Sequence, residues 1–219
     1  MPSRFRLAAV VSAGAVVAAG IAFAAPASAT PAPINYSSSS CPTSLTYGED
    51  DGCVVYLQQV LNELGFGLSV DGQFGSNTLA AVKWTQTKAH LQNSSVSVDG
   101  QVGPVTKSWI NTFIDGISKQ PGPSNACGIS LNIYPDYAAD DGGASATIAQ
   151  INNSATCTGW LQRSVNGGGF TIVSDQHTIG GPGQYVTTDI YSDNPTQLTE
   201  ACVHYSGAGG TGTTCTVAF

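Results

Sequence analysis

The chain has 219 residues, with 14 acidic side chains against 7 Lys and Arg and a formal net charge of −7. A surface this acidic repels phosphate backbones and anionic headgroups, which excludes nucleic-acid and membrane-surface binding. The length suits two small domains better than one large core.

Residues 1–29 read as a secretory signal peptide. Arg4 and Arg6 give a basic start, an Ala/Val/Gly-rich run follows from Leu7 to Phe23, and Ala27-Ser28-Ala29 supplies a small-residue cleavage site. A membrane anchor is the weaker reading, because the run is barely long enough to span and ends in that site. Removing the signal leaves four lysines and Arg163 against 14 acids, a net charge of −9. The expected product is secreted, extracellular or cell-wall-associated, with no membrane contact of its own.

Residues 30–44, "TPAPINYSSSSCPTS", form a Pro/Ser-rich lead expected to be extended and poorly ordered. All six cysteines lie beyond the signal, and an even count in an exported chain predicts three disulfides rather than thiol catalysis or a zinc site. A Cys41–Cys53 bridge would strap the lead to the start of the first helix.

A helical domain is expected over 45–117. In "CVVYLQQVLNELGF" the residues Val54, Leu57, Val60, Leu61 and Leu64 recur at helical spacing, and Gly65 supplies a left-handed cap over which Phe66 folds back. A second helix starts near Ser76 as N-cap and runs through "NTLAAVKWTQTKAHL"; a third begins at Pro104. Between them stand "VDGQFGSNT" from Val70 and "VDGQVGPVT" from Val98, identical at six of nine positions and 28 residues apart. Asp-Gly is a turn signal, so Asp71, Gly72, Gly75, Asp99, Gly100 and Gly103 are assigned to two structural turns that feed two helices. A carboxylate committed to turn hydrogen bonds is a poor general acid.

"LQQVLNELGF", then "VDGQFGSNTLAAVKWTQ", then "VDGQVGPVT" resembles the type 1 peptidoglycan-binding domain, a small helical module common in bacterial cell-wall hydrolases. The likeness covers about Asp50 to Phe113. It departs from the family in Thr85, where a Phe is usual, in the longer connection "QNSSVS", and in a Trp displaced to Trp109. The resemblance implies a wall glycopeptide ligand, glycan strand or stem peptide, and no chemistry. Candidate contacts are Tyr56, Gln73, Asn77, Trp84 and Gln86, amides and aromatics of the kind that suits sugars and peptide stems. Each has a structural alternative: Trp84 as core, Gln73 as a solvated side chain. Phe74 reads as a core anchor.

The texture changes after Lys119. Residues 118–126, with "QPGPSN", read as a linker, and 127–219 as a disulfide-linked β domain with seven acids and Arg163 alone. Short β-prone runs such as "GISLNIY", "SATIAQI", "TCTGWLQRSV" and "EACVHYS" alternate with Gly/Asn clusters, the pattern of an antiparallel sandwich or barrel. "NGGG" and "SGAGGTG" read as hairpin loops. Four cysteines allow three pairings here; Cys202–Cys215 would clamp the last hairpin and leave Cys127–Cys157. The candidates for catalysis, His177, His204 and Asp175, lack zinc-peptidase spacing, and no serine-elbow pattern occurs.

The fold class expected is therefore α + β in separate domains: a small three-helix peptidoglycan-binding-like module, then an antiparallel β-sandwich or barrel. The function expected is a secreted wall-binding protein with no cofactor, metal or catalytic residue. Its β module would meet another extracellular protein or a carbohydrate. The rival is a peptidoglycan hydrolase with an unrecognised catalytic C-terminal domain. The cysteine reading is checked by mass spectrometry of the native protein after a thiol-reactive label. No label should be added; one labelled cysteine would reopen a thiol role.

Overall fold

The computed structural model describes residues 30–136 and 141–219, so the expected signal peptide, residues 1–29, lies outside the described residues. Three helices open the chain: α1 Gly52–Glu63, α2 Ser76–Gln92 and α3 Pro104–Gly116. Asp51 caps α1, its carboxylate accepting from the N–H groups of Cys53 and Val54 at 2.8 and 3.0 Å. The helix ends through Gly65 at φ +88°, with the Phe66 N–H on the Leu61 carbonyl. The N-cap of α2 is Gly75, one residue before the expected Ser76, and it makes no side-chain cap bond. Pro104 occupies the first turn of α3.

The lead is not loose. Tyr36 is 1 % exposed, and its hydroxyl donates to Asn111 Oδ1 at 2.5 Å. Lys107 Nζ donates to the Tyr36 and Pro42 carbonyls, both at 2.9 Å, and the Cys41–Cys53 disulfide closes the segment onto α1. Composition suggested disorder, but one buried ring and one cation satisfying two carbonyls outweigh it.

The β domain comprises β1 Ser118–Lys119, β2 Cys127–Asp136, β3 Asp141–Gln150, β4 Thr156–Val165, β5 Thr171–Ile172, β6 His177–Thr178, β7 Gln184–Thr187, β8 Tyr191–Ser192, β9 Gln197–Gly207 and β10 Gly210–Cys215. Pairing is antiparallel throughout. One sheet runs β1-β2-β3-β7 with β8 also on β3; the other runs β10-β9-β4-β5 with β6 also on β4. Their inner faces meet through Ile129, Leu131, Ala146 and Ile148 on one side and Leu161, Ala201 and Val203 on the other, so the fold is a sandwich. A Cβ at Gly159 would lie 2.2 Å from Ile148, which explains a glycine inside β4. Cys127–Cys157 ties sheet to sheet, and Cys202–Cys215 links register partners on β9 and β10.

Residues 118–126 do not behave as a free linker. β1 pairs with β2 in the register Ser118↔Ser130, the Leu131 N–H reaches the Ile117 carbonyl, and a short 3-10 turn spans Pro123–Asn125. The two modules also share a core. Phe219 packs against Trp84, Trp109 and Phe113 with ring centroids 5.3, 6.1 and 4.5 Å away. Gly65 brings the end of α1 so close to β2 that a Cβ there would meet the Ile133 carbonyl oxygen at 2.2 Å. At the centre Lys88 Nζ, fully buried, donates to Asp193 Oδ1 at 2.8 Å and to the Gln197 carbonyl at 2.7 Å. Asp193 Oδ1 also accepts from the Thr199 hydroxyl. Burial pulls the Lys88 ammonium down to about 8, against the attraction of Asp193, and pushes the Asp193 carboxyl up.

A buried pair contributes little beyond a well-packed apolar substitute, whereas breaking it strands one charge. Lys88→Met and Asp193→Leu should each destabilise the protein by about 3–5 kcal/mol, and the double variant by much less than their sum. Chemical denaturation of all four proteins checks this. Simple additivity would show that the pair does not couple the modules.

Candidate functional site

The repeated turns are built around two glutamines of the helices that precede them. Gln58 of α1 points into the first turn, where its Oε1 accepts from the N–H groups of Asp71 and Gly72 at 3.1 and 2.9 Å. Its Nε2 donates to Asp71 Oδ1 at 2.8 Å, to the Gln73 carbonyl at 3.0 Å and to the Thr78 hydroxyl at 3.3 Å. Gln86 of α2 stands 28 positions later and repeats the pattern on Gly100 N–H, Asp99 Oδ1, the Gln101 carbonyl and Thr106 Oγ1. Each turn aspartate also accepts from the N–H two residues on, Gln73 and Gln101. Gly72 and Gly100 hold φ of +84° and +80°, where a side chain would be strained. Gly75 and Gly103 instead have ordinary negative φ and act as N-caps of α2 and α3.

The offset extends further. Asn62 exchanges two hydrogen bonds with the Leu68 backbone, and His90 Nδ1 meets the Val96 carbonyl at 2.8 Å. A strap from Leu45 to Asp50 joins the two turns. Leu45 pairs with Val102, the Gly48 N–H reaches the Phe74 carbonyl, and the Phe74 N–H reaches the Glu49 carbonyl.

Two surface hollows flank the first turn. One of 160 Å³ is lined by Ser69, Asp71, Gln73, Ser76 and Asn77; the other, of 360 Å³, by Tyr47, Glu49, Asp50, Gln73 and Gly75. Gln73 separates them and lines both. Tyr47 is 64 % exposed. Glu49 Oε1 accepts from Thr46, whereas its Oε2 is buried with no hydrogen-bond partner among the described residues. A third hollow, of 490 Å³, lies away from the second turn over Val105, Ser108 and Trp109 of α3 and Asn93 at the end of α2.

Of the five candidate contacts, the structure gathers Gln73 and Asn77 on one exposed face. Tyr56 lies elsewhere, half-buried, edge-on to Tyr36 at 5.1 Å and accepting from Asn35. Neither Trp84 nor Gln86 faces solvent: Trp84 sits at the junction between Phe66 and Phe219, and Gln86 is wholly committed to its turn. Phe74 is core. Tyr47 and Glu49 escaped the sequence reading. Their signal was an aromatic and an acid in "YGED", directly ahead of a capped helix.

In the β domain His177 pairs with Gly159 and His204 with Thr158, neighbouring positions of β4 whose side chains take opposite faces of the sheet. His204 is held between Thr213 and Thr211. Glu200, Cys202 and Cys215 lie close together, but the two sulfurs form a disulfide and offer no thiolate. Burial raises the Glu200 carboxyl against the hydrogen bond from Gln162.

Residues 51–110 match the family described as "Putative peptidoglycan binding domain". The match runs from the α1 cap through both turns into α3, so a peptidoglycan-binding domain is present and coincides with the repeated architecture. No curated protein matches the chain, and no solved structure does. The domain and the three disulfides fit an extracellular or cell-wall location.

The turn geometry is testable. Gln58→Ala and Gly100→Val should each destabilise the protein by roughly 1–3 kcal/mol, the first by orphaning turn N–H groups and the second by forcing a branched residue to positive φ against Leu79. The hydrogen bonds from Gln58 and the Gln73 N–H hold Asp71 below the usual 3.8. A depressed carboxyl stabilises the fold above the ordinary value, and that contribution disappears as pH falls through the folded value. Melting temperatures below pH 4 should therefore drop less steeply in Asp71→Asn than in the parent; parallel curves would remove Asp71 from the acid response.

Proposed function

We propose that this is a secreted, wall-associated binding protein that docks on peptidoglycan through the face around Gln73. The β sandwich carries a second surface for another extracellular protein or a carbohydrate. The observation that carries the reading is the exposed face built by the first turn, where Gln73 and Asn77 line one hollow and Tyr47 and Gln73 the neighbouring one, beside residues that the family match covers. Tyr47 offers an exposed ring for the apolar face of a sugar or a peptide side chain, while Gln73 and Asn77 offer donors and acceptors. No reacting group is required for any of this.

Electrostatic attraction is not the source of affinity. Of the three lysines in the helical module, Lys88 and Lys107 are buried on carbonyls and Asp193, which leaves Lys83 alone exposed against its seven acids.

The test is co-sedimentation of the full chain with purified sacculi. The parent should pellet at low and high salt alike, and Tyr47→Ala, Gln73→Ala and Asn77→Ala should each weaken binding about tenfold without moving the melting temperature. Undiminished pelleting of all three would displace the site. Release of soluble wall fragments would favour the hydrolase reading instead.

A further inference from the structure

The outer face of the sheet β1-β2-β3-β7 has a composition of its own. Along β2 the outward Ser130, Asn132 and Tyr134 alternate with the buried Ile129, Leu131 and Ile133. The outward polar groups form a belt across four strands. Ser118 and Ser130 share a hydroxyl contact at 2.8 Å, Asn132 donates to Ser145 and Thr147 at 3.1 and 2.9 Å, and Thr147 meets Thr187 at 3.0 Å. Ser145 is itself fully buried, its Oγ meeting the Tyr134 hydroxyl at 3.3 Å, so the accessible belt is Ser118, Ser130, Asn132, Thr147 and Thr187, with Tyr134, 44 % exposed, and Tyr185, 75 % exposed, toward its two ends. Their register partners on β3 are Gly143 and Ala149, so their backbone positions are about 20 Å apart along the strand direction, with the Tyr134 ring reaching inward to Ser145.

Between the two tyrosines no outward residue of β2, β3 or β7 is charged. Lys119, on β1, pairs with Ile129 and takes the opposite side of the sheet. We propose that this face binds a neutral polysaccharide chain. An anionic partner would find no cation on it, and a cationic one would find carboxylates only at its margin, at Asp136 two residues beyond Tyr134 and Asp189 just after β7. A protein partner would want a closed apolar centre, and here the centre is hydroxyl and amide. An uncharged polyhydroxylated chain matches both features: its hydroxyls exchange hydrogen bonds with the belt, and its C–H faces lie on the terminal rings. The length of the belt suits a run of sugars rather than one. This inference stands on the sandwich alone and does not require wall docking by the helical module.

Retention of the full chain on insoluble chitin and on cellulose, both uncharged and free of stem peptides, tests it. The parent should be retained on at least one polymer, with little response to salt. Tyr134→Ala combined with Tyr185→Ala should weaken retention roughly tenfold or more. Thr147→Glu, which places a charge in the belt, should do the same. Tyr134 and Thr147 also make hydrogen bonds within the belt, so each variant is assayed at a temperature where its melting curve shows it folded, and Tyr185→Ala alone, at the most exposed position, should weaken retention while melting with the parent. No retention on either polymer would overturn the proposal, as would retention unaffected by the sheet-face variants. Loss of retention on Tyr47→Ala alone would assign glycan binding to the helical module. Failure of the parent to pellet with sacculi, with polymer retention intact, would sink the wall-docking reading and leave this one standing.

Discussion

The helical module depends on one carboxamide used twice. A DG turn between short helices has inward N–H groups that no helix or strand will satisfy, and a small module has few partners to offer. Gln58 answers with both ends of a single rigid group, its oxygen on the Asp71 and Gly72 N–H and its nitrogen on Asp71 and the Gln73 carbonyl. With its backbone held, Gln73 presents its side chain outward. Gln86 repeats the device for the second turn, and the strap Leu45–Asp50 fixes the two turns to each other. The exposed face around Gln73 thus rests on an amide that is itself buried.

The second constraint is the junction. Trp84, Trp109 and Phe113 would complete the edge of a free-standing three-helix module, but here they close around Phe219 of the β domain. Lys88 stands at the repeat position equivalent to Val60, and its charge is satisfied only by groups of the other domain. Core formation in one module is therefore tied to the presence of the other.

Much of this was legible in the sequence, for physical reasons. Helical spacing in α1, Asp-Gly at both turns and Pro104 at a helix start are local signals, and the structure follows them. β-prone runs between Gly/Asn clusters pointed to antiparallel strands in a sandwich or barrel, and they pack as a sandwich. What escaped was non-local. A glutamine on a helix reads as solvated, so Gln86 was taken for a ligand contact when its partners lie 13 to 20 residues downstream. The Pro/Ser lead reads as loose until Tyr36 and Lys107 meet across the fold. Residues 118–126 read as a linker because β1 is too short to announce itself. Lys88 was the one visible warning: a cation at an apolar position of the repeat demands a buried partner from elsewhere, which proved to be Asp193.

The docked junction has a mechanical consequence. A flexible tether would let the sandwich sample a volume set by linker length, and pulling on it would first extend slack chain. Here β1 is zipped to β2 and Phe219 is wedged into the helices, so there is no slack to extend. Force applied to the sandwich passes directly into α2 and α3. The molecule transmits torque as a lever, and whatever holds one module on a surface also sets the angle at which the other leaves it.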